Sequence, residues 1–351
     1  MADYKVKIKT FLKTLKQCEI EGYITTNVID MQYFCARPFQ PSERSVLLIT
    51  PKHFMIFARP LAFNAIKESV KEAKVVMAED ISAIAAAAEF VIKNKIKNIC
   101  FDQDKELFSA GQIFQKAGIK PELAVTNTVR MVKNKEEIKN IRKACQIAYN
   151  AFLYIKPRIK TSMTELEAAS MLENYMKSQG ASGVSFDTIM AFGKNSADPH
   201  HATDTTKLKN EDVILVDFGC IYKGYCSDIT RTWWHGKKPA AEFTKVWNIV
   251  ERARKEGVKK VRPNMSARNA DKICRDIIET ASYGPLIHST GHGVGMNLHE
   301  SPFLNPPSQE ILKKGNVFTI EPGIYIPGKF GVRLEDTVEL TAKGANILTK
   351  K

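Results

Sequence analysis

The 351-residue chain has no Cys-x-x-Cys pair, no long apolar run and no low-complexity tract. Its seven cysteines (Cys18, Cys35, Cys100, Cys145, Cys220, Cys226 and Cys274) are odd in number and scattered, which excludes a zinc ribbon and a secreted disulfide framework. They read as buried thiols kept in a reducing compartment. The longest largely apolar stretch, Ile81 to Ile92, is interrupted by Ser82 and Glu89 and falls far short of the ~20 residues that span a bilayer. Lys5, Lys7, Lys9, Lys13 and Lys16 break up the first turns of the chain, so no secretory leader is expected. Tryptophan is scarce, at three residues, and no Arg-Gly or poly-Lys tract gathers the basic side chains. The 52 Lys and Arg exceed the 38 Asp and Glu by 14 charges, and this dispersed excess predicts a solvated surface rather than a nucleic-acid face. A cytoplasmic protein with neither nucleic-acid nor membrane partner is expected.

Hydrophobic residues make up 44% and charged residues 26%, an ordinary globular balance that excludes disorder and fibrous classes. At ~100–200 residues per domain the length favours two domains, and the chain divides near residue 130. Residues 1–130 read as an α/β domain with a mixed sheet. Ser45–Thr50 and His53–Ala58 flank a Pro51-Lys52 turn as a hairpin. Lys74–Ala78, Asp80–Asn94 and Asn98–Asp102 have the spacing of a strand–helix–strand unit. Asp104–Ala117 reads as a helix and Glu122–Thr126 as a closing strand.

In residues 131–351, Ile138, Ile141, Cys145, Ala148, Phe152 and Ile155 step by three and four along one helix face. Thr164 with Glu167 forms a capping box and Gly180 a natural stop for a second helix. Strands near Asp187–Phe192 and Val213–Asp217 follow. Two more helices, Phe243–Lys259 and Met265–Ala281, lead to strands at Val317–Glu321 and Val332–Leu340. The repeated order of helices then strands suggests an internal duplication.

Four short stretches of this second half carry the chemistry. Asp217 ends an apolar strand and Asp228 begins another beyond a turn near residues 222–223, a register that would set the two acids directly opposite. Carboxylates so close repel unless one is protonated or a cation lies between them, and a cation is the simplest answer. Three of the seven histidines (His288, His292 and His299) fall within twelve residues, and Gly291 and Gly293 flank His292 so that the backbone can approach something closely. This glycine pattern follows no clear strand, so it is not a dinucleotide fingerprint. Glu321 ends an apolar strand at a Pro-Gly break. Glu335 lies two residues from Arg333, on one strand face by period two, where the arginine would hold it ionised. Four carboxylates with His292 make an oxygen-rich set that two divalent cations would balance. Such donors suit Mn, Fe, Co or Zn better than a thiolate site does. Two such metals ~3.5–4 Å apart can generate a nucleophile from shared water.

The ordered series VDFG, SDITRT, GHGVG, EPGIY and VRLEDT resembles the pita-bread metallopeptidases. Within them it is similar to the proline-specific branch, the Xaa-Pro aminopeptidases and Xaa-Pro dipeptidases (prolidases). The first half, with GYITTNVIDMQYFCAR, resembles that branch's creatinase-type N-terminal domain. The resemblance implies an α/β (α+β) chain, with a pita-bread (creatinase/aminopeptidase) domain over 131–351 behind a mixed-sheet leading domain over 1–130. By motif, Asp217 would chelate one metal, Asp228 and Glu335 would bridge both, and His292 and Glu321 would complete the other metal's shell. Glu321 would also shuttle the proton of a metal-bridging hydroxide. His200 and His299 match the histidines expected to hold the scissile carbonyl, and His288 and Arg333 match residues on the substrate side. Two divalent ions are implied, manganese foremost with cobalt, zinc or iron as alternatives, as are proline-containing peptide substrates and a homodimer.

Three positions depart from the pattern. Asp198 replaces an apolar residue before Pro199, and His201 doubles His200, which is taken as the one facing the metals. Phe303 stands where dipeptidases often carry an arginine for the dipeptide carboxylate. The expected activity is therefore Xaa-Pro aminopeptidase, with Xaa-Pro dipeptidase as the alternative. A methionine aminopeptidase, which would lack the leading domain, and an inactive interaction protein on the same fold are further alternatives.

Overall fold

The computed structural model describes residues 3–350 except Asp80 and Ala124, and of Asp3 the backbone alone. It divides into two units, Met1–Arg130 and Met131–Lys351. Among the described residues no helix is long and apolar enough to cross a membrane.

The leading unit is built on six strands: β1 (Gly22–Thr25), β2 (Val46–Ile49), β3 (Phe54–Ala58), β4 (Lys74–Met77), β5 (Ile99–Asp102) and β6 (Lys120–Glu122). They lie in the order β4-β3-β2-β1-β5-β6, antiparallel at β3-β2-β1 and parallel elsewhere, which makes the sheet mixed. At the β2–β3 turn, Thr50 Oγ1 accepts from the backbone N–H groups of Lys52 and His53, at 3.2 and 2.9 Å. The helix expected from Asp80 spans Ala83–Lys93, because Ser82 caps it by accepting from Ala85 N–H at 3.1 Å. Two expectations shift. β4 and β5 are not neighbours, since three strands lie between them, so the strand–helix–strand unit crosses most of the sheet. The closing strand is Lys120–Glu122 rather than 122–126.

The second unit alternates helix pairs with antiparallel strands. Its first pair is the helices Lys135–Ile155 and Glu165–Ser178. Five of the six stripe residues on the first helix are buried, with Ile138 half-buried. The Thr164 capping box is formed: Thr164 Oγ1 accepts from Glu167 N–H at 3.1 Å, and Glu167 Oε2 accepts from Thr164 N–H at 2.7 Å. Strand β7 (Gly183–Val184) precedes β8 (Ile189–Phe192), β9 (Asp212–Phe218), β10 (Cys220–Tyr222), β11 (Tyr225–Cys226) and β12 (Ile229–His235). The sheet β12-β9-β8 packs on this helix pair through a core that includes Ile147, Leu172, Ile214, Val216 and Ile229.

The second pair, Ala241–Lys260 and Ala267–Glu279, shares a core with the next strands, including Val250, Cys274, Phe318, Ile320 and Val338. Those strands are β13 (Gly291–Gly293), β14 (Glu300–Leu304), β15 (Val317–Ile320), β16 (Gly323–Ile326), β17 (Phe330–Arg333), β18 (Asp336–Thr341) and β19 (Gly344–Ile347). They form a sheet β14-β13-β15-β18-β19 and a separate β16-β17 hairpin. The continuous strand expected over Val332–Leu340 is thus broken at Leu334 and Glu335, where the chain passes from one sheet to another.

Six cysteines are buried and Cys18 is exposed. Burial pushes the thiols of Cys226 and Cys274 up to about 12, far from the reactive thiolate range. Leu172, fully buried in the first core, should cost about 2–5 kcal/mol when replaced by alanine. Chemical denaturation of Leu172→Ala measures this.

Candidate metal centre

The β10–β11 turn sets the position of the first two acids. Lys223 and Gly224 both have positive φ, 50° and 80°, the left-handed pair of a two-residue primed turn. The register that follows pairs Tyr222 with Tyr225 and, further along, Asp217 with Thr230. Asp228 is therefore not opposite Asp217, as the sequence led us to expect. It sits diagonally, one residue ahead of β12, still close enough for the Asp217 charge to act on it.

The glycines around His292 are explained by strand packing rather than by a ligand. The Gly-His-Gly segment is itself strand β13. A Cβ on Gly291 would run into the Thr319 carbonyl of the adjacent β15, and one on Gly293 into the carbonyls of Glu300 and Ser301. His292 Nδ1 lies 3.1 Å from the Gly293 carbonyl, which can only accept, so Nδ1 carries the proton. Its Nε2 lone pair is then directed at Asp228 Oδ2 and Glu321 Oε1, each 3.4 Å away.

Donor atoms of Asp228, His292 and Glu335 lie within 4.8 Å of one another. Glu321, just past β15, is steadied by Thr319 Oγ1, which donates to its Oε1 at 3.0 Å. Glu335 does not pair with Arg333. It lies in the break between β17 and β18, where Thr230 Oγ1 donates to its Oε2 at 2.7 Å. Arg333 instead grips Asp217 Oδ2 at 2.7 Å. The two residues flank a change of sheet, so strand periodicity does not relate them.

These residues fit a bound cation pair. Asp217 Oδ1, Asp228 Oδ1 and Glu335 Oε1 are buried carboxylate oxygens with no hydrogen-bond partner. Burial first, then the charges of Asp217 and Glu321, raises the Asp228 carboxyl well above its ordinary value. Glu335 is raised in the same direction by burial, then by Asp228, Glu321 and Asp217. A divalent cation reverses that logic and suits the hard oxygen donors here.

Around the acids runs a hydrogen-bonded row that the sequence did not reveal. Arg333 NH1 donates to Tyr325 Oη at 2.8 Å, and Tyr325 Oη lies 2.9 Å from His288 Nε2. Desolvation raises the Tyr325 phenol to about 12 and lowers His288. The β16–β17 pairing of Gly323 with Arg333 and Tyr325 with Gly331 brings these residues together, a register seen only in the fold.

His299 packs its ring 4.2 Å from that of His292, nearly perpendicular. Its pKa is lowered by desolvation of its inner side, then by His292, with His200 contributing. His201 turns elsewhere. Its Nε2 is 2.7 Å from Glu165 Oε2, a buried carboxylate that also accepts from Phe192 N–H and Asn195 Nδ2. This cluster of Glu165, His201 and Asp204 joins residues too far apart in sequence to read as a unit.

Residues 139–342 match the model of metallopeptidase family M24. The chain belongs to that family. A putative Xaa-Pro aminopeptidase of Mycoplasma genitalium is 36% identical over 300 residues, 85% of this chain and 84% of that protein. The solved structure of an Xaa-Pro dipeptidase from Bacillus anthracis superposes with a TM-score of 0.93 at 32% identity, covering 99% of this chain and 98% of that one. A prolidase from Pyrococcus furiosus gives 0.87 at 32% identity over 97% and 99%. The M24 peptidase therefore has the pita-bread fold that its motifs resembled, and family membership implies divalent metal ions.

Gly291→Ala should strain the β13–β15 contact by about 1–3 kcal/mol and displace the imidazole beside it. A lowered melting temperature with weakened metal uptake is the expected outcome.

Proposed function

We propose that this M24 peptidase hydrolyses the bond between an N-terminal residue and proline, as an Xaa-Pro aminopeptidase. The observation that carries the reading is the convergence of Asp217, Asp228, His292, Glu321 and Glu335, with three carboxylate oxygens left unpartnered, beside the exposed imidazole of His299. Those five side chains would hold two divalent ions, with manganese favoured. When bound, the pair supplies an ionised water and polarises the scissile carbonyl.

The remaining steps fall to the chain. Glu321, its Oε1 fixed by Thr319, takes the water's proton on its free oxygen and passes it to the prolyl nitrogen. That nitrogen is tertiary in the peptide and must be protonated before it departs. His299 and His200 donate to the carbonyl oxygen as negative charge grows there, an effect often worth ~3–4 kcal/mol. The row Asp217–Arg333–Tyr325–His288 orients the substrate side.

Phe303 supports cleavage of longer peptides. It pairs with His292 across β13 and β14, is 37% exposed, and offers no charge to a dipeptide's carboxylate. The relatives named dipeptidases and prolidases support the second reading, strict Xaa-Pro cleavage. We read the leading unit as a creatinase-type domain whose exposed Leu61 and Phe108 suit a homodimer. The buried thiols suit the cytoplasm.

The deciding assay supplies manganese, cobalt and zinc in turn and compares Xaa-Pro, Xaa-Pro-Yaa and Met-Ala peptides. We expect Xaa-Pro-Yaa to be cleaved fastest and Met-Ala not at all; the reverse order overturns the reading. Asp228→Ala should lose both activity and tight binding of two metal equivalents, the latter measured by elemental analysis after dialysis.

A further inference from the structure

Arg231 of the SDITRT motif and Asp336 of VRLEDT have no part in this account. Glu335 lies where the chain leaves the β16–β17 hairpin for the larger sheet, so no ladder partner holds its backbone. Its N–H donates to the Thr230 carbonyl at 3.1 Å. Its carbonyl accepts from Arg231 NH1. With Oε2 taken by Thr230 Oγ1, the one polar atom left without a partner is Oε1, the oxygen available to a cation.

Arg231 is itself held fast. Its NH2 donates to Asp336 Oδ1 at 2.8 Å and to the Thr349 carbonyl at 3.2 Å, while NH1 also reaches the Thr230 carbonyl at 3.0 Å. Asp336 is buried, receives Thr349 Oγ1 at 2.8 Å, and is bound on its other oxygen by Arg254. Arg254 in turn is fixed by two 2.8 Å bonds to Glu251. The bracket therefore runs from a helix, through Asp336, to the carbonyl of Glu335.

Resting on the metal-centre reading above, we propose that Arg231, anchored by Asp336, is the positioning residue that sets Glu335 for a divalent cation. A planar guanidinium spreads its donors to serve the Glu335 carbonyl, the Thr349 carbonyl and Asp336 together; a lysine ammonium gathers its three donors on one nitrogen and lacks that fork. Arg231 bonds the side chain of none of the proposed metal ligands. Its effect reaches the site through the backbone of its neighbour's partner, as supporting groups of metal ligands commonly do.

The test is zinc affinity of the full chain, measured by competition with a chromophoric chelator, alongside melting of the chelator-treated protein. Arg231→Lys should bind zinc roughly 10–100-fold more weakly, while its metal-free melting temperature and circular dichroism stay close to wild type. Lys329→Met, which breaks only the exposed pair with Glu242, should leave the affinity unchanged. A merely structural arginine would give the opposite result, a lowered metal-free melting temperature with affinity within about twofold, and that outcome overturns the proposal. Should Arg231→Lys fail to fold, Thr349→Val removes one hydroxyl from Asp336 and should weaken zinc binding in the same direction; unaltered affinity there also overturns it. A wild-type chain that takes up no zinc or manganese would overturn the metal-centre reading instead.

Discussion

Four carboxylates crowded around one imidazole in a largely buried space would be untenable as a set of bare charges. Like charges at a few ångströms in a poorly screened interior oppose ionisation strongly. The structure shows where that repulsion is met by the chain and where it is not. Arg333 neutralises one oxygen of Asp217, and the hydroxyls of Thr230 and Thr319 each take one oxygen of a glutamate. Asp217 Oδ1, Asp228 Oδ1 and Glu335 Oε1 stay buried without a hydrogen-bond partner, a set that bound divalent cations would balance.

The architecture answers it with strand edges and breaks rather than with a helix face. One acid lies within a strand, one a residue before a strand, one just after a strand, and one in the gap between two strands. Such positions let side chains from separate ladders meet at one point, which regular pairing within a single sheet could not do. They also leave backbone groups without ladder partners. The second unit resolves this locally with threonine and arginine side chains.

Much of this was legible in the sequence, and the limits have physical causes. The apolar stripe from Ile138 to Ile155, the Thr164 capping box and the hairpin at Pro51-Lys52 follow from local chemistry, and the structure contains each of them. The acids and His292 could be gathered because their motifs stand in sequence order. What could not be read were relations that depend on three-dimensional register. The Asp217–Asp228 pairing was displaced because two left-handed residues at Lys223-Gly224 moved the turn by one position, which shifts opposed partners by two. Arg333 was assigned to Glu335 on the assumption of one continuous strand, whereas a change of sheet sends its side chain to Asp217. The tie between Glu165 and His201 bridges 36 positions and carries no periodic signal. The glycines flanking His292 show the same limit: their need for close approach was apparent, but the object approached was a neighbouring strand.

Asp217, Asp228, His292, Glu321 and Glu335 are spread over more than a hundred residues, within or beside strands of separate sheets, so an ion held among them would depend on the folded second unit. No short piece of the chain carries all five of these donors. A cation that bound the folded unit alone would add to its stability by mass action, rising with the free cation concentration.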